Sequence, residues 1–466
     1  MRKPAPTGTF YLPIKPVNAK GRFPSPEEVT EQLGNNSRNK ENSMARLAIN
    51  GGEKAVTIPN SEARLPIVSE EDIQAAVDLM RKGEISVSPI VEEFEKEFAQ
   101  YIGTEYGLAS NSGTSSLHEA LVGVGVSAGD EVIVPSYTFG PGAIVILAAH
   151  GVPVFCDVDR ETHCIDPEDA ARKITPRTRA ILLVHVWGNP CDMGSIMQLA
   201  RKHNIAVVED CSHAHGAEWH GKKVGAIGDV GGFSLQGSKI LKAGEGGVLT
   251  TSDRECYERA ATYGRGEKIG KFPEDSHYKQ CIRIGMGFKH RPHPLGIAIA
   301  REQFRHLDER NEVRDGNGAY LDAGIADIEA VKVQKVLPDC RRVYAYHCAA
   351  YDSEKLNGVS MKVFLQAIHA EGVRCDPIRY GWLHKASLFT EGSPYNEDCL
   401  GQCPLVKTPS EFAAGSLPAT EYLCERNFMI APRFETECRE LVDQYIEAYH
   451  KVTSSVDELL AFERKQ

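Results

Sequence analysis

Residues 179–211, RAILLVHVWGNPCDMGSIMQLARKHNIAVVEDC, contain two apolar runs separated by a segment with helical spacing. The first run, RAILLVHV, and the last, IAVVEDC, are rich in the aliphatic and β-branched residues of buried strands. The segment GSIMQLARKHN between them has the pattern of an amphipathic helix that ends in basic residues. Strand, helix and strand in this order favour a parallel pair in an α/β sheet, where functional groups follow the carboxyl ends of strands.

The same alternation extends along the chain and predicts an α/β domain with a mostly parallel central sheet. Six runs predict strands: EVIVPS (131–136), VPVFCDV (152–158), RAILLVHV (179–186), IAVVEDC (205–211), VGGFSLQ (230–236) and GGVLTT (246–251). Helices are predicted over residues 69–83 and 89–103, where Ser and Pro stand at the start and Gly at the end.

Residues 294–325 are predicted as one long helix that connects the large domain to a smaller α+β domain. Three parts of the chain follow from this division. They are a flexible N-terminal extension (1–46), a large domain (47–305) and a small C-terminal domain (306–466).

The composition restricts the classes of function. The chain has 466 residues, a formal net charge of −11 and 42% hydrophobic residues, which is typical of a globular enzyme. The acidic balance argues against a nucleic-acid partner. No stretch reaches the ~18 apolar residues of a membrane helix, and the N-terminus is a poor secretory leader. The 13 cysteines lack metal-binding spacing, so we expect reduced thiols, no metal site and a cytoplasmic location.

Small and hydroxylated residues open an apolar helix at LASNSGTSSLHEAL, residues 108–121. Backbone N–H groups at such a helix start bind anions, and the hydroxyl groups add donors. Gly113, Thr114 and Ser115 are therefore candidate phosphate-binding residues. The plain alternative is a helix cap, which is common.

Two further stretches place chemically active side chains after predicted strands. In IAVVEDCSHAHGA, residues 205–217, Asp210 ends a strand and His213 follows three residues later. A carboxylate there can hold a proton on a ring nitrogen, and a histidine can bind a ring substituent. In VPSYTFGPG, residues 134–142, Phe139 can stack on a planar ligand. Solvated acids, a satisfied histidine and an ordinary core aromatic are the alternatives.

Lys239 lies between two glycine clusters in GGFSLQGSKILKAGEGG, residues 231–247. A lysine that forms an imine must lose its proton during part of its cycle. Glycines allow a bulky ring to approach the backbone beside it. Together with a phosphate site, a stacking face and a carboxylate for a ring nitrogen, Lys239 predicts a pyridoxal 5′-phosphate (PLP) enzyme.

These motifs resemble the DegT/DnrJ/StrS-type aminotransferases, which have fold type I and aminate keto-sugars and cyclitols. The resemblance extends from LAINGG to about residue 450 and includes SPIVEEFEKEFAQYIG, NSGTSSLHEAL, GDEVIVPSYTF, PVFCDVD, WGNPCDM, VVEDCSHAHGA, SLQGSKILKAGEGGVLTT and LPATEYL. It implies an amino group taken from glutamate or glutamine and given to a cyclic ketone. It also implies a homodimer with active sites at the subunit interface.

The resemblance implies a role for each candidate residue. Lys239 would form the imine with PLP and move protons, and Asp210 would pair with the ring nitrogen. His213 would approach the phenolic oxygen and Phe139 would stack on the ring. The phosphate would be bound by Gly113, Thr114, Ser115 and Ser234.

Other residues are implied near the substrate or depart from the family pattern. Tyr380 and His384 match a segment near the substrate, with packing of the small domain as the alternative. Lys289 stands where the family has an asparagine that reaches the phosphate of the neighbouring subunit, and it can still bind phosphate as a point charge. Gln236 stands where nucleotide-sugar enzymes have histidine, which favours a cyclitol substrate.

Three other functions remain as alternatives. Sugar dehydratases of the same family have histidine in place of the lysine, so Lys239 argues against them. A non-catalytic PLP-binding regulator would lack Lys239 or Asp210, or would carry an added DNA-binding module. A cofactor-free nucleotide-binding protein would need a stronger phosphate motif than GEGG.

Overall fold

A seven-stranded sheet lies at the centre of the computed structural model, which describes residues 46–378, 380–390 and 416–466. The strands, in chain order, are β1 (Tyr106–Ser110), β2 (Glu131–Pro135), β3 (Val152–Cys156), β4 (Thr178–Val184), β5 (Ala206–Asp210), β6 (Glu218–Trp219), β7 (Lys222–Lys223), β8 (Val230–Ser234), β9 (Gly247–Thr251), β10 (Val331–Val333), β11 (Cys340–Arg341), β12 (His347–Tyr351), β13 (Arg374–Pro377) and β14 (Asn427–Ala431).

The central sheet has the order β1-β9-β8-β5-β4-β2-β3. The neighbours β8, β5, β4, β2 and β3 are parallel, and β9 runs antiparallel to both β1 and β8. The predicted mostly parallel sheet is thus confirmed, and all six predicted strands belong to it. The structure adds β1, whose sequence YGLAS has few strand-forming residues. Pairing with β9, rather than local propensity, makes this segment a strand.

Helices pack against this sheet and against a second, C-terminal lobe built on strands β10, β12, β13 and β14. They are α1 (Glu70–Lys82), α2 (Pro89–Ile102), α3 (Gly113–Gly123), α4 (Pro141–Ala148), α5 (Pro167–Lys173), α6 (Met193–His203), α7 (Arg254–Gly264), α8 (Pro294–Phe304), α9 (Leu307–Gly324), α10 (Met361–Ala370), α11 (Ser387–Thr390), α12 (Pro418–Arg426), α13 (Arg439–Ser454) and α14 (Val456–Glu463). As predicted, Ser69 caps α1 and Gly83 ends it in the left-handed region.

The predicted long helix over residues 294–325 is wrong in one respect, because the structure divides it into α8 and α9. His306 has non-helical backbone angles between the two. The helix α8 packs on α1 beside the large sheet, whereas α9 packs on α13 in the second lobe. The break lets each half bury its apolar side against a different core.

The C-terminal part builds a four-stranded antiparallel sheet in the order β10-β12-β14-β13. Residues from α9, α10 and α13 pack against it in a separate apolar core. Leu47, Val56 and Ala63 are buried in this same core, although the sequence assigns residues 47–305 to the large domain. The division at residue 305 stays a prediction.

Cysteine side chains in the described part of the chain are free thiols at eleven positions, and most of them are buried. Cys399 and Cys403 lie outside the described residues. The cytoplasmic location stays a prediction. Within the described ranges, no helix combines the length and apolar character needed to cross a membrane.

A buried carboxylate joins α3 to the segment that follows α7. Glu119 of α3 is fully buried, with Oε1 3.2 Å from Nδ1 of His290. Its other oxygen, Oε2, has no hydrogen-bond partner among the described residues. Burial raises the pKa of Glu119 to about 7. A side chain at Gly264 would clash with this carboxylate, which explains the glycine there.

This carboxylate predicts a pH-dependent stability. Between its ordinary pKa of 4.5 and the folded value of about 7, the folded protein keeps a proton that the unfolded chain has released. Stability therefore falls as pH rises through this window, by about 3 kcal/mol at most. Glu119→Gln removes the titration, so we expect the variant to raise the melting temperature more at pH 8 than at pH 5.

Thermal unfolding of wild type, Glu119→Gln and Glu425→Gln at both pH values measures the effect. Glu425 is exposed on α12 and serves as the control. An equal change in melting temperature at pH 5 and pH 8 for Glu119→Gln would contradict the assignment.

Candidate active site

Two neighbouring parallel strands deliver polar residues to one edge of the central sheet. The strand β5 ends in Asp210 and β8 ends in Ser234, and Lys239 follows β8 by five residues. Because β5 and β8 are parallel neighbours, their carboxyl ends lie side by side. The start of α3 meets them there, since a Cβ on Gly113 would lie 2.6 Å from Cβ of Ser234. The structure thus brings together the main candidates of the sequence.

The N-terminus of α3 carries unused donors. Ser112 caps the helix, and its Oγ accepts the backbone N–H of Ser115 at 3.1 Å. The backbone N–H groups of Gly113 and Thr114 have no acceptor among the described residues. Ser234 Oγ accepts the N–H of Gln236 at 3.4 Å, which leaves its own proton available. Two backbone donors and a hydroxyl group at a helix start form a site for a tetrahedral anion.

Ser115 contributes to the cap itself. Its backbone N–H donates to Ser112, and its hydroxyl donates to Oδ1 of Asn111 at 2.6 Å. Both polar groups of Ser115 are therefore engaged, so the free donors of this helix start are those of Gly113 and Thr114.

Asp210 is a buried acid with spare acceptor capacity. Its Oδ1 accepts the N–H of Ser212 at 2.9 Å, and the residue is 6% exposed. Burial raises the pKa of Asp210, while hydrogen bonds from Ser212 and the charge of Lys239 oppose the rise. A buried carboxylate that can accept a further hydrogen bond is stabilised strongly by a cationic N–H partner.

His213 is held in one protonation state. Its Nδ1 accepts the backbone N–H of Trp187 at 3.4 Å, and its ring stacks on the indole at 5.3 Å between centroids. Burial, and then the charge of Lys239, lower the pKa of His213 well below its ordinary value. The ring is therefore neutral, with its proton on Nε2, and can donate to an oxygen in the site.

Lys239 lies in a tight loop after β8. Its N–H donates to the carbonyl of Gln236 at 2.8 Å, and Gly237 donates to Gly244 across the loop at 2.8 Å. Gly244 has a φ of 84°, which an ordinary side chain strains. Burial is the main cause that lowers the pKa of Lys239, and the charge of Arg433 adds to it. The neutral amine, which is the nucleophile, is thereby favoured.

Two aromatic residues that sequence reasoning missed, Trp187 and Tyr346, pack together with the predicted Tyr380. Trp187 stacks on Tyr380 at 4.7 Å between ring centroids, in addition to its stacking on His213. Tyr346 meets the rings of both Trp187 and His213 edge-on, at 5.5 and 5.2 Å. The segment WGNPCDM was a signal for Trp187, whereas nothing local distinguishes Tyr346.

The remaining sequence candidates occupy different surroundings. Phe139 is 63% exposed and makes no ring contact with other described aromatic residues. Lys289 is exposed on a segment whose backbone pairs with Arg265. Gln236 accepts the N–H of Ser238 at 2.7 Å and shapes the loop before Lys239. The predicted roles, which are ring stacking for Phe139, phosphate binding for Lys289 and a substrate contact for Gln236, stay predictions.

Of the two substrate candidates, Tyr380 lies in the aromatic group and His384 lies beneath it. His384 is fully buried, with Nδ1 2.7 Å from Oγ of Ser136 and Nε2 3.4 Å from Oε1 of Glu421. These contacts fit the packing alternative for His384. Its role toward substrate stays a prediction.

His185, Glu209 and Cys211 form a buried group with metal-binding side chains. The oxygens of Glu209 accept three backbone N–H groups, at 2.7–2.9 Å, besides facing His185 at 3.0 Å. Burial raises the pKa of Cys211 well above its ordinary value, so it stays a thiol. These hydrogen bonds indicate a structural role for His185 and Glu209.

Comparison with known proteins places this geometry in a family. A model of the DegT/DnrJ/EryC1/StrS aminotransferase family matches residues 66–426. A putative L-glutamine:3-amino-2,3-dideoxy-scyllo-inosose aminotransferase of Streptoalloteichus tenebrarius is 34% identical over 89% of this chain and 99% of its own length. GDP-perosamine synthase of Caulobacter vibrioides is 40% identical over 49% of this chain and 60% of its own length.

A solved structure has the same fold. The crystal structure of 3-amino-5-hydroxybenzoic acid (AHBA) synthase aligns with a TM-score of 0.70 and 25% identity, over 84% of this chain and 99% of that one. This likeness confirms the expected fold type I. The chain is an aminotransferase, and it belongs to the DegT/DnrJ/EryC1/StrS aminotransferase family.

Proposed function

We propose that this aminotransferase uses PLP to transfer an amino group from glutamine or glutamate to a keto-cyclitol. The observation that carries the proposal is the meeting of Lys239, Asp210 and the start of α3 at one edge of the sheet. Two observations support a keto-cyclitol as the acceptor. They are Gln236, which stands where nucleotide-sugar enzymes have histidine, and the relative named for an amino-dideoxy-scyllo-inosose.

The residues present fit PLP group by group. The phosphate would be bound by the free N–H groups of Gly113 and Thr114 and by the hydroxyl of Ser234. The carboxylate of Asp210 would accept the ring N–H, and Nε2 of His213 would donate to the phenolic oxygen. PLP, when bound, supplies an electron-withdrawing ring that stabilises negative charge developing on the substrate carbon.

The chain supplies positioning and proton transfer. Asp210 keeps the ring nitrogen protonated, because a buried anion without a cationic partner is costly. Burial lowers the pKa of the Lys239 amine, which favours its neutral form, and the neutral amine can accept a proton from one substrate carbon and return it to another. The aromatic rings of Tyr346 and Tyr380 pack on Trp187 at the same site.

We also propose that two copies of the chain form a homodimer. The side chains of Ile282, Ile284, Met286 and Phe288 are all exposed, and Lys289 follows them directly. Alternating exposed apolar side chains of this kind are typical of a surface covered by a partner. The predicted reach of Lys289 to the phosphate of a second subunit rests on this homodimer.

Loss of Lys239 tests the covalent part of the proposal. Borohydride reduction of protein purified with PLP should add the cofactor mass to the peptide that contains Lys239. Lys239→Ala should lose this adduct and at least about 10³-fold of kcat, since it removes both the attachment point and the proton carrier.

Lys222→Ala, a change at an exposed lysine of β7, is the matched control and should keep both properties. A Lys239→Ala variant that still transfers amino groups at the wild-type rate would overturn the mechanism.

Asp210→Asn tests the pairing with the ring nitrogen. The amide cannot stabilise a protonated ring nitrogen as a carboxylate does, so we expect kcat to fall by at least about 100-fold. The absorption of the bound cofactor should change as well. A variant with wild-type absorption and wild-type kcat would exclude this role.

The acceptor is tested with protein converted to the pyridoxamine form. Single-turnover rates measured spectroscopically with keto-cyclitols and with nucleotide-linked keto-sugars separate the two substrate classes. We expect the keto-cyclitols to react at least about tenfold faster. A preference for the nucleotide-linked compounds would reject the cyclitol proposal while leaving the aminotransferase assignment intact.

A further inference from the structure

His290 contacts the start of α3 from two sides. Its backbone carbonyl accepts the N–H of Asn111 at 2.7 Å, just before the helix begins. Its ring nitrogen Nδ1 lies 3.2 Å from Oε1 of Glu119, which belongs to the helix itself. His290 therefore fixes the direction of α3 relative to the turn that precedes it.

The segment that carries His290 is held by the end of α7. The backbone N–H of His290 donates to the carbonyl of Gly264 at 2.9 Å, and that of Met286 donates to the carbonyl of Thr262 at 3.1 Å. The ring of Phe288 lies 5.7 Å from the His290 ring, between centroids. Because these contacts are made to an element outside α3, the segment can act as a fixed support for the helix.

Stability does not explain an acid at position 119. The side chain of Glu119 is fully buried, and its Oε2 has no hydrogen-bond partner among the described residues. Its helix neighbours Leu117, Ala120 and Leu121 are buried and apolar. An apolar side chain of similar size would avoid the cost of burying a carboxyl group. The contact that Glu119 makes with His290 accounts for the acid instead.

The direction of α3 matters because the first N–H groups of this helix are the unused donors of the site. Gly113 and Thr114 begin the helix, and their N–H groups have no acceptor among the described residues. Asn111, which His290 holds, accepts the hydroxyl of Ser115 on its Oδ1 at 2.6 Å. Hydrogen bonds weaken steeply when the donor is misdirected. A small rotation of the helix start would therefore weaken phosphate binding without unfolding the helix.

We propose that His290 is a positioning residue for the phosphate group of the cofactor, and that Glu119 holds the His290 ring in place. His290 acts through Asn111 and α3 rather than through contact with the cofactor. The inference rests on the function proposed above for the identity of the ligand. The positioning itself applies to any tetrahedral anion that binds at this helix start.

Two ligands that differ only in the phosphate group test the proposal. Glu119→Leu keeps a side chain of similar length and removes the contact with His290. In full-length protein freed of cofactor, this variant should bind PLP at least about tenfold more weakly than wild type. Its affinity for pyridoxal, which lacks the phosphate, should stay within about twofold of wild type. Its affinity for inorganic phosphate, measured by calorimetry, should fall by the same factor as that for PLP.

Further variants separate the contact from general packing. Glu119→Gln should recover most of the lost PLP affinity, because its amide can still form a hydrogen bond with Nδ1 of His290. His290→Leu should repeat the effect of Glu119→Leu, and the double variant should lose no more than either single variant, since all three remove one contact. His203→Leu, at an exposed histidine of α6, is the control and should bind both ligands like wild type.

Other results would overturn the proposal. An equal loss of affinity for PLP and pyridoxal in Glu119→Leu and His290→Leu would show a general structural role. Unchanged PLP affinity in these variants would show that the contact does not position the donors. If the wild type forms no imine with either ligand, the proposed function fails, and the affinity for inorganic phosphate still decides whether His290 positions an anion site.

Discussion

The buried carboxylate of Glu209 holds the active-site edge of the sheet together. It lies near the end of β5, is fully buried, and accepts the backbone N–H groups of Gly225, Ile227 and Gly228. His185 faces it at 3.0 Å and accepts the N–H of Cys191 on its other nitrogen. These hydrogen bonds keep the pKa of Glu209 below its ordinary value against the effect of burial, so an anion is stabilised inside the protein.

The positions of the active-site residues depend on Glu209 because of the geometry of a β-strand. Successive side chains of a strand point to opposite faces, so a structural acid at Glu209 leaves the next acid, Asp210, for the ligand side. The loop that Glu209 holds leads directly into β8, which carries Ser234 and then Lys239. A single buried charge thereby sets the relative positions of the carboxylate, the hydroxyl group and the amine.

The second lobe completes the site and adds what the central sheet lacks. Tyr346, Tyr380 and Arg433 all come from beyond α9 and meet Trp187 or the Lys239 loop. The elements around the central sheet thus supply the free N–H groups of α3, the hydroxyl of Ser234 and the carboxylate of Asp210, while the second lobe supplies aromatic faces and the guanidinium of Arg433. The break between α8 and α9 allows this arrangement, because each helix follows its own core.

The sequence alone determined the local features of this protein: six of the seven central strands, the caps of α1, and the order of Gly113, Asp210, His213, Ser234 and Lys239. These depend on periodicity and on the residue types next to each strand end. Four other features were determined only by the tertiary structure. They are the strand β1, the break in the helix at His306, the contact between Glu119 and His290, and the position of Arg433 beside Lys239. Each of these depends on contacts between residues far apart in the chain, which local propensity does not encode.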